Sequence, residues 1–324
     1  MSDTLEVTRP ATKLRLRPLT PLLGADVTGL DLRQPLDAAT RSAVRKALLE
    51  HKVLVFRDQQ IDDEQQIAFS RTFGRVTPAH PIRNGLAQAP EIMENILTRD
   101  SSEYAGFDLD IDHPLRPAVR PRGRVGWHID ITFVANPTSV TLLRGVEIPE
   151  AGGDTLFANL EALYESLSPS LRGWLDTLQA IHVRDDAAVG RPPAPRFDGR
   201  EPGPFAALHP LVRIHPDTGR KHLFLATSFV KAIHGLRPRE SAALLDYLND
   251  ELAGRADLHA RVRWNEGDLV VWDNRAVAHA GPIDPKFIKG ERIVHRTTVE
   301  GDLPRGPDGF VSRSLVGELF NTIS

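Results

Sequence analysis

The chain has 324 residues, of which 41% are hydrophobic and 26% charged, and its formal net charge is −3. This composition is typical of a globular protein with a sizeable core, and the balanced charge argues against a nucleic-acid partner. Cysteine is absent, which excludes disulfides, thiolate metal sites and cysteine nucleophiles.

The segment Met1–Arg17 has no apolar run of signal-peptide length. No segment of the chain reaches the roughly 20 apolar residues of a membrane span. We therefore expect a cytoplasmic protein without a membrane partner.

The first seventy residues predict alternating strands and helices. Asp37 is placed to cap a helix, and the apolar run Lys52–Phe56 is typical of a buried strand. Asp62 followed by Gln65 resembles a capping box at the start of a second helix, which Gly74 is placed to close.

Residues 75–124 show no regular pattern, because prolines interrupt them repeatedly. An acidic stretch, Asp108–Asp112, precedes a basic one that contains Arg124. A long loop of this kind is either an ordinary solvated surface loop or a lid over a site. We expect an active-site lid within residues 78–124.

Strands dominate after residue 125. The predicted strands are Trp127–Phe133, Ser139–Val146, Asp154–Ala158, Leu211–Ile214, Lys221–Ala226, Asp268–Asp273 and Arg292–Val299. Helices are predicted from Ser168–Pro169 onwards and over Arg237–Leu252, and Pro216–Gly219 indicates a hairpin turn. We expect residues 1–324 to form one domain, mainly β, with helices packed outside.

His128 and Asp130 are two residues apart in a predicted strand, so their side chains should point to the same face. A second imidazole must come from elsewhere, and His279, after the predicted strand and turn Leu269–Arg275, is the candidate. Two histidines and one carboxylate on one face of an ion suit non-haem iron(II). An H-x-D pair alone is weak, since a single histidine is more often a structural residue.

Four motifs that occur in a fixed order strengthen the prediction of a metal site. They are Trp127-His-Ile-Asp-Ile-Thr-Phe133, Gly152-Gly-Asp-Thr155, Trp272-Asp-Asn-Arg275 with His279, and Arg292-Ile-Val-His-Arg296. They resemble the taurine dioxygenase family of iron(II)- and 2-oxoglutarate-dependent oxygenases, and the likeness runs from Leu14 to about Leu303. The closest likeness is to the taurine and alkylsulfate dioxygenases.

This resemblance implies a double-stranded β-helix, a jelly-roll core like that of the cupins. It implies Fe(2+) as the metal, held by His128, Asp130 and His279, with 2-oxoglutarate and O2 as cosubstrates. The alternative class is a non-catalytic, cupin-like binding protein, which slow succinate formation in the absence of a prime substrate would exclude.

The resemblance also assigns roles to two arginines. Arg292 and Arg296 are four apart in a predicted strand and face the same side. Arg292, assisted by Thr155, matches the residue that binds the 5-carboxylate of 2-oxoglutarate. Arg296 and His80 match the pair that contacts the anionic group of the substrate. From the sequence alone, the arginines could instead lie in ion pairs at the rim of the fold.

Two further positions differ from the pattern of the taurine enzyme. Arg83 stands where that enzyme has a tyrosine, and Arg124 where it has an asparagine. These differences put taurine in doubt and favour a larger or doubly anionic substrate. We expect a small or medium organic anion, an alkyl sulfate or sulfonate, with carboxylate, amino-acid-like and phosphonate compounds as alternatives. A homo-oligomer remains open.

Overall fold

The computed structural model describes residues 14–98, 126–185, 199, 203–281, 284 and 287–320. The helices are α1 (Ala38–His51), α2 (Asp63–Ser70), α3 (Leu160–Ser166), α4 (Pro169–Leu175) and α5 (Pro238–Gly254). The strands are β1 (Arg15–Pro18), β2 (Ala25–Thr28), β3 (Val53–Phe56), β4 (Met93–Leu97), β5 (Val140–Glu147), β6 (Thr155–Asn159), β7 (Gln179–Arg184), β8 (Phe205–Pro210), β9 (Val212–Ile214), β10 (Lys221–Leu223), β11 (Val230–Ile233), β12 (His259–Val262), β13 (Leu269–Asp273), β14 (Val277–Ala280), β15 (Arg292–Val299) and β16 (Arg313–Val316).

The strands form one large sheet and three smaller ones. The large sheet has the order β1-β2-β3-β13-β5-β15-β4, and the others are β11-β7-β8-β16, β12-β6-β14 and β10-β9. The pairing is antiparallel except between β2 and β3. Because β13 pairs with β3 and β15 pairs with β5, the sheet joins segments from the two halves of the chain.

The helices begin where the sequence predicts. The Asp37 side chain accepts a hydrogen bond from the Thr40 backbone N–H at 2.7 Å, and Asp62 and Gln65 form the complete capping box of α2. The predicted role of Gly74 was wrong, since α2 ends at Ser70. Gly74 has φ +152° and lies against β15, where an added Cβ would come within 2.8 Å of the Val299 side chain.

Two predictions about strands also need correction. Trp127–Phe133 is not a strand: His128 forms a single β-bridge with His279, and the chain then turns, with Ile131 at φ +47°. The proline-rich stretch contains a regular element after all, β4, which pairs with β15 at the sheet edge. The lid predicted within residues 78–124 falls largely on residues 99–124, outside the described residues.

The core lies on both sides of the large sheet. One apolar cluster packs α1 and α2 against one face of β3 and β13, and a second packs the other face of these strands against β6, β12 and β14. A third cluster packs α3 and α5 against β9, β10 and β14. Each fully buried aliphatic or aromatic side chain contributes about 1.5–3 kcal/mol, so these clusters fix the strands that carry the site. Among the described helices, none is long and apolar enough to cross a membrane.

Candidate metal centre

The structure brings His128, Asp130 and His279 together. One ligand atom from each lies within 4.8 Å of the other two. Among the described residues, this is the only group of three or more histidine, aspartate or glutamate side chains that meets this geometry. Asp130 and His279 are buried and His128 is partly buried.

Backbone pairing places the two imidazoles side by side. The N–H of His128 donates to the carbonyl of His279 at 2.8 Å, and the reverse bond has the same length. The ring centroids are 4.2 Å apart. The His279 ring is also 4.7 Å from the ring of Trp272, so β13 fixes its orientation. The turn after His128, rather than the pleat of a strand, brings Asp130 to the same place.

The protonation states suit metal binding. Burial lowers the pKa of His128, and burial together with His128 lowers the pKa of His279 to about 3. Burial alone would raise the pKa of Asp130, but Arg296 and the two histidines lower it to about 2. At neutral pH the group therefore consists of two neutral imidazoles and one carboxylate, the states that bind a cation.

His128 uses one ring nitrogen for a hydrogen bond within the protein, which leaves the other for a metal ion. His128 Nδ1 lies 3.0 Å from the Gly126 carbonyl, which can only accept, so Nδ1 carries the proton and Nε2 is left as a ligand atom. His279 Nε2 lies 3.8 Å from Asp130 Oδ1. Two nitrogens and one oxygen that converge in this way fit a non-haem iron(II) ion.

The two arginines of β15 are buried, which excludes the rim position left open by the sequence. Arg292 lies with its Cζ 5.4 Å from the ring centroid of Trp264, whose Nε1 donates to Thr155 Oγ1 at 3.0 Å. Trp264 thus joins Arg292 to Thr155. Gly153, at φ +75°, lies so close that an added Cβ would be 2.7 Å from Arg292 Cδ.

Arg296 lies next to the metal cluster. Its Nη1 donates to Asp130 Oδ1 at 3.1 Å and its Nη2 to the Ala79 carbonyl at 3.2 Å. The second bond brings the guanidinium to the segment that holds His80. His80 is buried, and its Nδ1 accepts from the Ile82 backbone N–H at 3.1 Å, so the proton of the neutral ring lies on Nε2.

The remaining predicted substrate residues are placed less fully. Arg83 is partly buried and follows His80 by three residues. Arg124 lies outside the described residues.

Aromatic side chains border the cluster on another side. The ring of Phe229 stands edge-on to the His128 ring, with centroids 6.2 Å apart, and Phe133 lies 5.1 Å from Phe229. Arg184 Cζ is 5.9 Å from both phenylalanine rings. An apolar surface and a cation therefore lie beside the metal cluster.

Sequence reasoning missed two residues that contact the centre. Thr141 donates a hydrogen bond to Asp130 Oδ2 at 2.6 Å, and Asn274 donates to Thr141 at 2.8 Å. Asn274 belongs to the motif Trp272–Arg275, so the sequence offered a signal for it. No motif contains Thr141, because its role depends on Asp130 in a loop eleven residues before it.

The sheets and the cluster define a β-sandwich protein with a metal site of two histidines and one carboxylate. Residues 15–298 match the family model "Taurine catabolism dioxygenase TauD, TfdA family". The alkylsulfatase of Acinetobacter baylyi is 32% identical over 321 residues, with 97% of this chain and 93% of the relative covered. The alpha-ketoglutarate-dependent sulfate ester dioxygenase of Pseudomonas putida is 34% identical over 323 residues, covering 97% and 99%.

A solved structure gives the same result. The crystal structure of a taurine dioxygenase from Burkholderia xenovorans superposes with a TM-score of 0.78 and 36% identity, covering 94% of this chain and 96% of that one. The chain belongs to the TauD, TfdA family of dioxygenases. The predicted family, double-stranded β-helix fold and enzyme class are confirmed, and the cofactor and cosubstrates are Fe(2+), 2-oxoglutarate and O2.

Proposed function

We propose that this enzyme oxidises a C–H bond of an organic anion, an alkyl sulfate or alkyl sulfonate, and converts 2-oxoglutarate to succinate and carbon dioxide. The observation that carries the proposal is the placement of two buried arginines, Arg292 and Arg296, on one strand, the second beside the metal cluster. Two buried guanidinium groups suit two anionic molecules, because a planar guanidinium pairs with a carboxylate or a similar anion through two parallel N–H donors.

In this proposal His128 Nε2, Asp130 and His279 Nε2 hold the iron. Bound iron(II) supplies the open coordination positions at which 2-oxoglutarate and O2 react. The neutral imidazoles and the ionised Asp130 need no deprotonation at neutral pH. The protein contributes fixed ligand positions and a largely buried environment.

Arg292 and Thr155 are assigned to the 5-carboxylate of 2-oxoglutarate. A guanidinium pairs with a carboxylate through two parallel N–H donors, and a hydroxyl can add a third. Trp264 supports the assignment because it contacts both residues, stacking on Arg292 and donating to Thr155. Gly153 lies against Arg292, so any side chain at position 153 would collide with the arginine and displace its guanidinium.

Arg296 and His80 are assigned to the anionic group of the substrate. The bond from Arg296 to the Ala79 carbonyl keeps the guanidinium next to His80. The Nε2 proton of His80 makes the ring a donor for an anion. Arg83, on the same segment, would add positive charge near this subsite, in line with a larger or doubly charged anion. The substrate role of Arg124 stays a prediction from the sequence.

The apolar part of the substrate is assigned to the aromatic side of the cluster. Phe229 borders His128, so an alkyl chain packed against it would present a C–H bond to the centre. The relatives named for alkyl sulfates and sulfate esters agree with an anion that carries an apolar chain. Hydroxylation of the carbon that bears the sulfate oxygen gives an unstable product, which collapses to an aldehyde and releases sulfate.

A substrate panel tests the proposal. The iron-loaded enzyme is assayed for succinate with alkyl sulfates, alkyl sulfonates, carboxylates, phosphonates and neutral alcohols of equal chain length. We expect sulfates or sulfonates to stimulate succinate formation most, with one aldehyde per succinate. A neutral or cationic compound as the best substrate would contradict the proposal, and a carboxylate or phosphonate would correct the anion class.

Variants of Arg296 make the test specific to the subsite. Arg296→Ala should abolish stimulation by the anion while slow 2-oxoglutarate decarboxylation persists, and His80→Ala should weaken substrate binding less. Arg239→Ala is the matched control, since Arg239 is exposed on α5. Metal content is measured in each variant, because Arg296 also contacts Asp130. Stimulation that is indifferent to Arg296 would overturn the assignment.

A further inference from the structure

Asp130 is held by a chain of buried side chains that begins in the large sheet. Thr141 on β5 donates from its hydroxyl to Asp130 Oδ2 at 2.6 Å, and Asn274 Nδ2 lies 2.8 Å from the same hydroxyl. Trp272 Nε1 lies 3.0 Å from Asn274 Oδ1. All four side chains are buried. The chain reaches the metal cluster from the sheet, opposite the loop on which Asp130 lies.

The direction of each hydrogen bond follows from the first donor. The indole N–H of Trp272 can only donate, so the oxygen of the Asn274 amide must face it. The amide nitrogen therefore faces Thr141 and donates to its oxygen. The Thr141 proton is then left for Asp130 Oδ2, which is ionised and can only accept.

The two oxygens of Asp130 consequently differ. Oδ2 accepts from Thr141, whereas Oδ1 faces His279 Nε2 at 3.8 Å and Arg296 Nη1 at 3.1 Å. The carboxylate cannot rotate without breaking the bond to Thr141. Of its two oxygens, only Oδ1 is presented to the histidines.

The loop gives Asp130 little support of its own. It follows a single β-bridge and precedes Ile131, which has a left-handed backbone at φ +47°. Thr141, by contrast, lies in a central strand, opposite Trp272 of β13 and Thr298 of β15. The rigid sheet therefore determines the position of a ligand that the loop alone would leave variable.

We propose that Thr141 and Asn274 are positioning residues that make Asp130 a ligand through Oδ1 alone, which keeps the remaining coordination positions for 2-oxoglutarate and O2. The proposal rests on the metal site of the proposed function. Partners that orient a ligand typically change metal affinity by about 10- to 100-fold when they are removed.

The test compares two buried threonines of the same sheet. Thr141→Val removes the hydroxyl at nearly constant shape, and Thr141→Ser restores it. Thr298→Val is the matched control, because Thr298 is buried opposite Thr141 and its hydroxyl bonds to Thr77 at 2.6 Å. Binding of Co(II), without 2-oxoglutarate or substrate, is measured by calorimetry, and the visible absorption of bound Co(II) reports its coordination number.

We expect Thr141→Val to weaken Co(II) binding about 10-fold or more and to change the absorption intensity, as a second carboxylate oxygen enters the coordination sphere. Thr141→Ser should return both to wild-type values. Asn274→Ala keeps the Thr141 hydroxyl but removes the amide that orients it, so its Co(II) affinity should fall between those of wild type and Thr141→Val. This variant tests the proposal even if Thr141→Val does not fold.

Two outcomes would overturn the proposal, and they are distinguishable. If Thr141→Val and Asn274→Ala bind Co(II) with the affinity and spectrum of wild type and Thr298→Val, the side chains only satisfy buried polar groups. If wild-type protein binds no Co(II) at His128, Asp130 and His279, the metal site of the proposed function fails as well.

Discussion

Two groups of buried or partly buried histidines can be compared among the described residues, and one of them is arranged to hold a metal. His128 and His279 meet at the centre of the fold, while His182, His209, His215 and His222 lie among β7, β8 and the β9–β10 hairpin. Burial lowers the pKa of His182, His209 and His222 as well as that of His128 and His279, to about 3 for His209 and for His279. Burial and a neutral ring therefore do not distinguish a ligand from a structural histidine.

The difference lies in whether the ring nitrogens converge with other ligand atoms. His209 bonds to the Ser312 hydroxyl and to the Thr132 carbonyl, each at 2.7 Å, so both nitrogens are used within the protein. His215 likewise bonds to Asp273 and to the backbone N–H of Asp217. At the centre, one nitrogen of His128 is used by the backbone and the other converges with His279 and Asp130. Within the described part of the chain, His182 Nε2 and His222 Nε2 also lack a hydrogen-bond partner, so the convergence of three ligand atoms, and not a free ring nitrogen, marks the metal site.

The largest effect is expected from substitution of the three residues whose ligand atoms converge. His128→Ala, Asp130→Ala and His279→Ala should each reduce iron binding and succinate formation by more than about 100-fold, since removing a ligand should cost more than removing its hydrogen-bond partner. Iron content, turnover and circular dichroism are measured together. A folded variant that keeps near-wild-type turnover would show that its residue is not a ligand.

The second effect extends the comparison to buried arginines. Arg213 is paired with Asp302 at 2.7 Å, whereas Arg292 is stacked on Trp264 and is assigned to 2-oxoglutarate. Arg292→Ala should raise the KM for 2-oxoglutarate by the equivalent of about 2–5 kcal/mol. Thr155→Val should cost about 1 kcal/mol, for one hydroxyl. Equal KM values in wild type and Arg292→Ala would contradict the assignment.

The third effect falls on the structural histidines. His209→Phe leaves a hydroxyl and a carbonyl buried without their partner, so the free energy of unfolding should fall by about 1–3 kcal/mol for each. Iron affinity should change by less than about threefold, because sites that share no partner act almost independently. Urea unfolding gives the free energy of unfolding, and calorimetry gives the iron affinity. A large loss of iron affinity at unchanged stability would remove the distinction between the groups.

The smaller effect expected of the structural histidines is a pH dependence of stability. The pKa of His209 is lower in the folded state than its unfolded value of about 6.5, so between pH 6.5 and 3 the unfolded chain binds more protons. Stability is therefore complete above pH 6.5 and falls as the pH drops, by up to about 2 kcal/mol per such histidine at pH 5. Urea unfolding at pH 7.5, 6 and 5 should show a shallower slope in His209→Phe than in wild type; parallel slopes would contradict the prediction.

Local signals in the sequence predicted the local structure well. The caps at Asp37 and Asp62, the helix begun by Ser168 and the hairpin at Pro216–Gly219 are all present, because each depends on residues within a few positions of one another. Trp127–Phe133 failed because its apolar alternation resembles a strand, while the left-handed Ile131 turns the chain. β4 was missed because it lies in a stretch interrupted by prolines, although its pairing with β15 stabilises it.

The ordered motifs predicted which residues meet at the metal centre, but not what holds them. Thr141 and Asn274 bond across a separation of 133 residues, and no local pattern contains that information. The position of Arg296 against Asp130 was likewise unexpected, since the sequence pointed only to a substrate anion. The single domain over residues 1–324 and the lid within 78–124 stay predictions.

In the proposed site His128, Asp130 and His279 hold the metal, and His182, His209, His215 and His222 do not. The most direct test is an anaerobic crystal structure with Mn(II) in place of iron(II) and N-oxalylglycine in place of 2-oxoglutarate. The Mn(II) ion is located by its anomalous scattering. We predict one strong peak, bonded to His128 Nε2, His279 Nε2 and a single oxygen of Asp130, with the analogue's distal carboxylate on Arg292. A peak bonded to His182, His209, His215 or His222, or no peak at the three predicted ligands, would contradict the account.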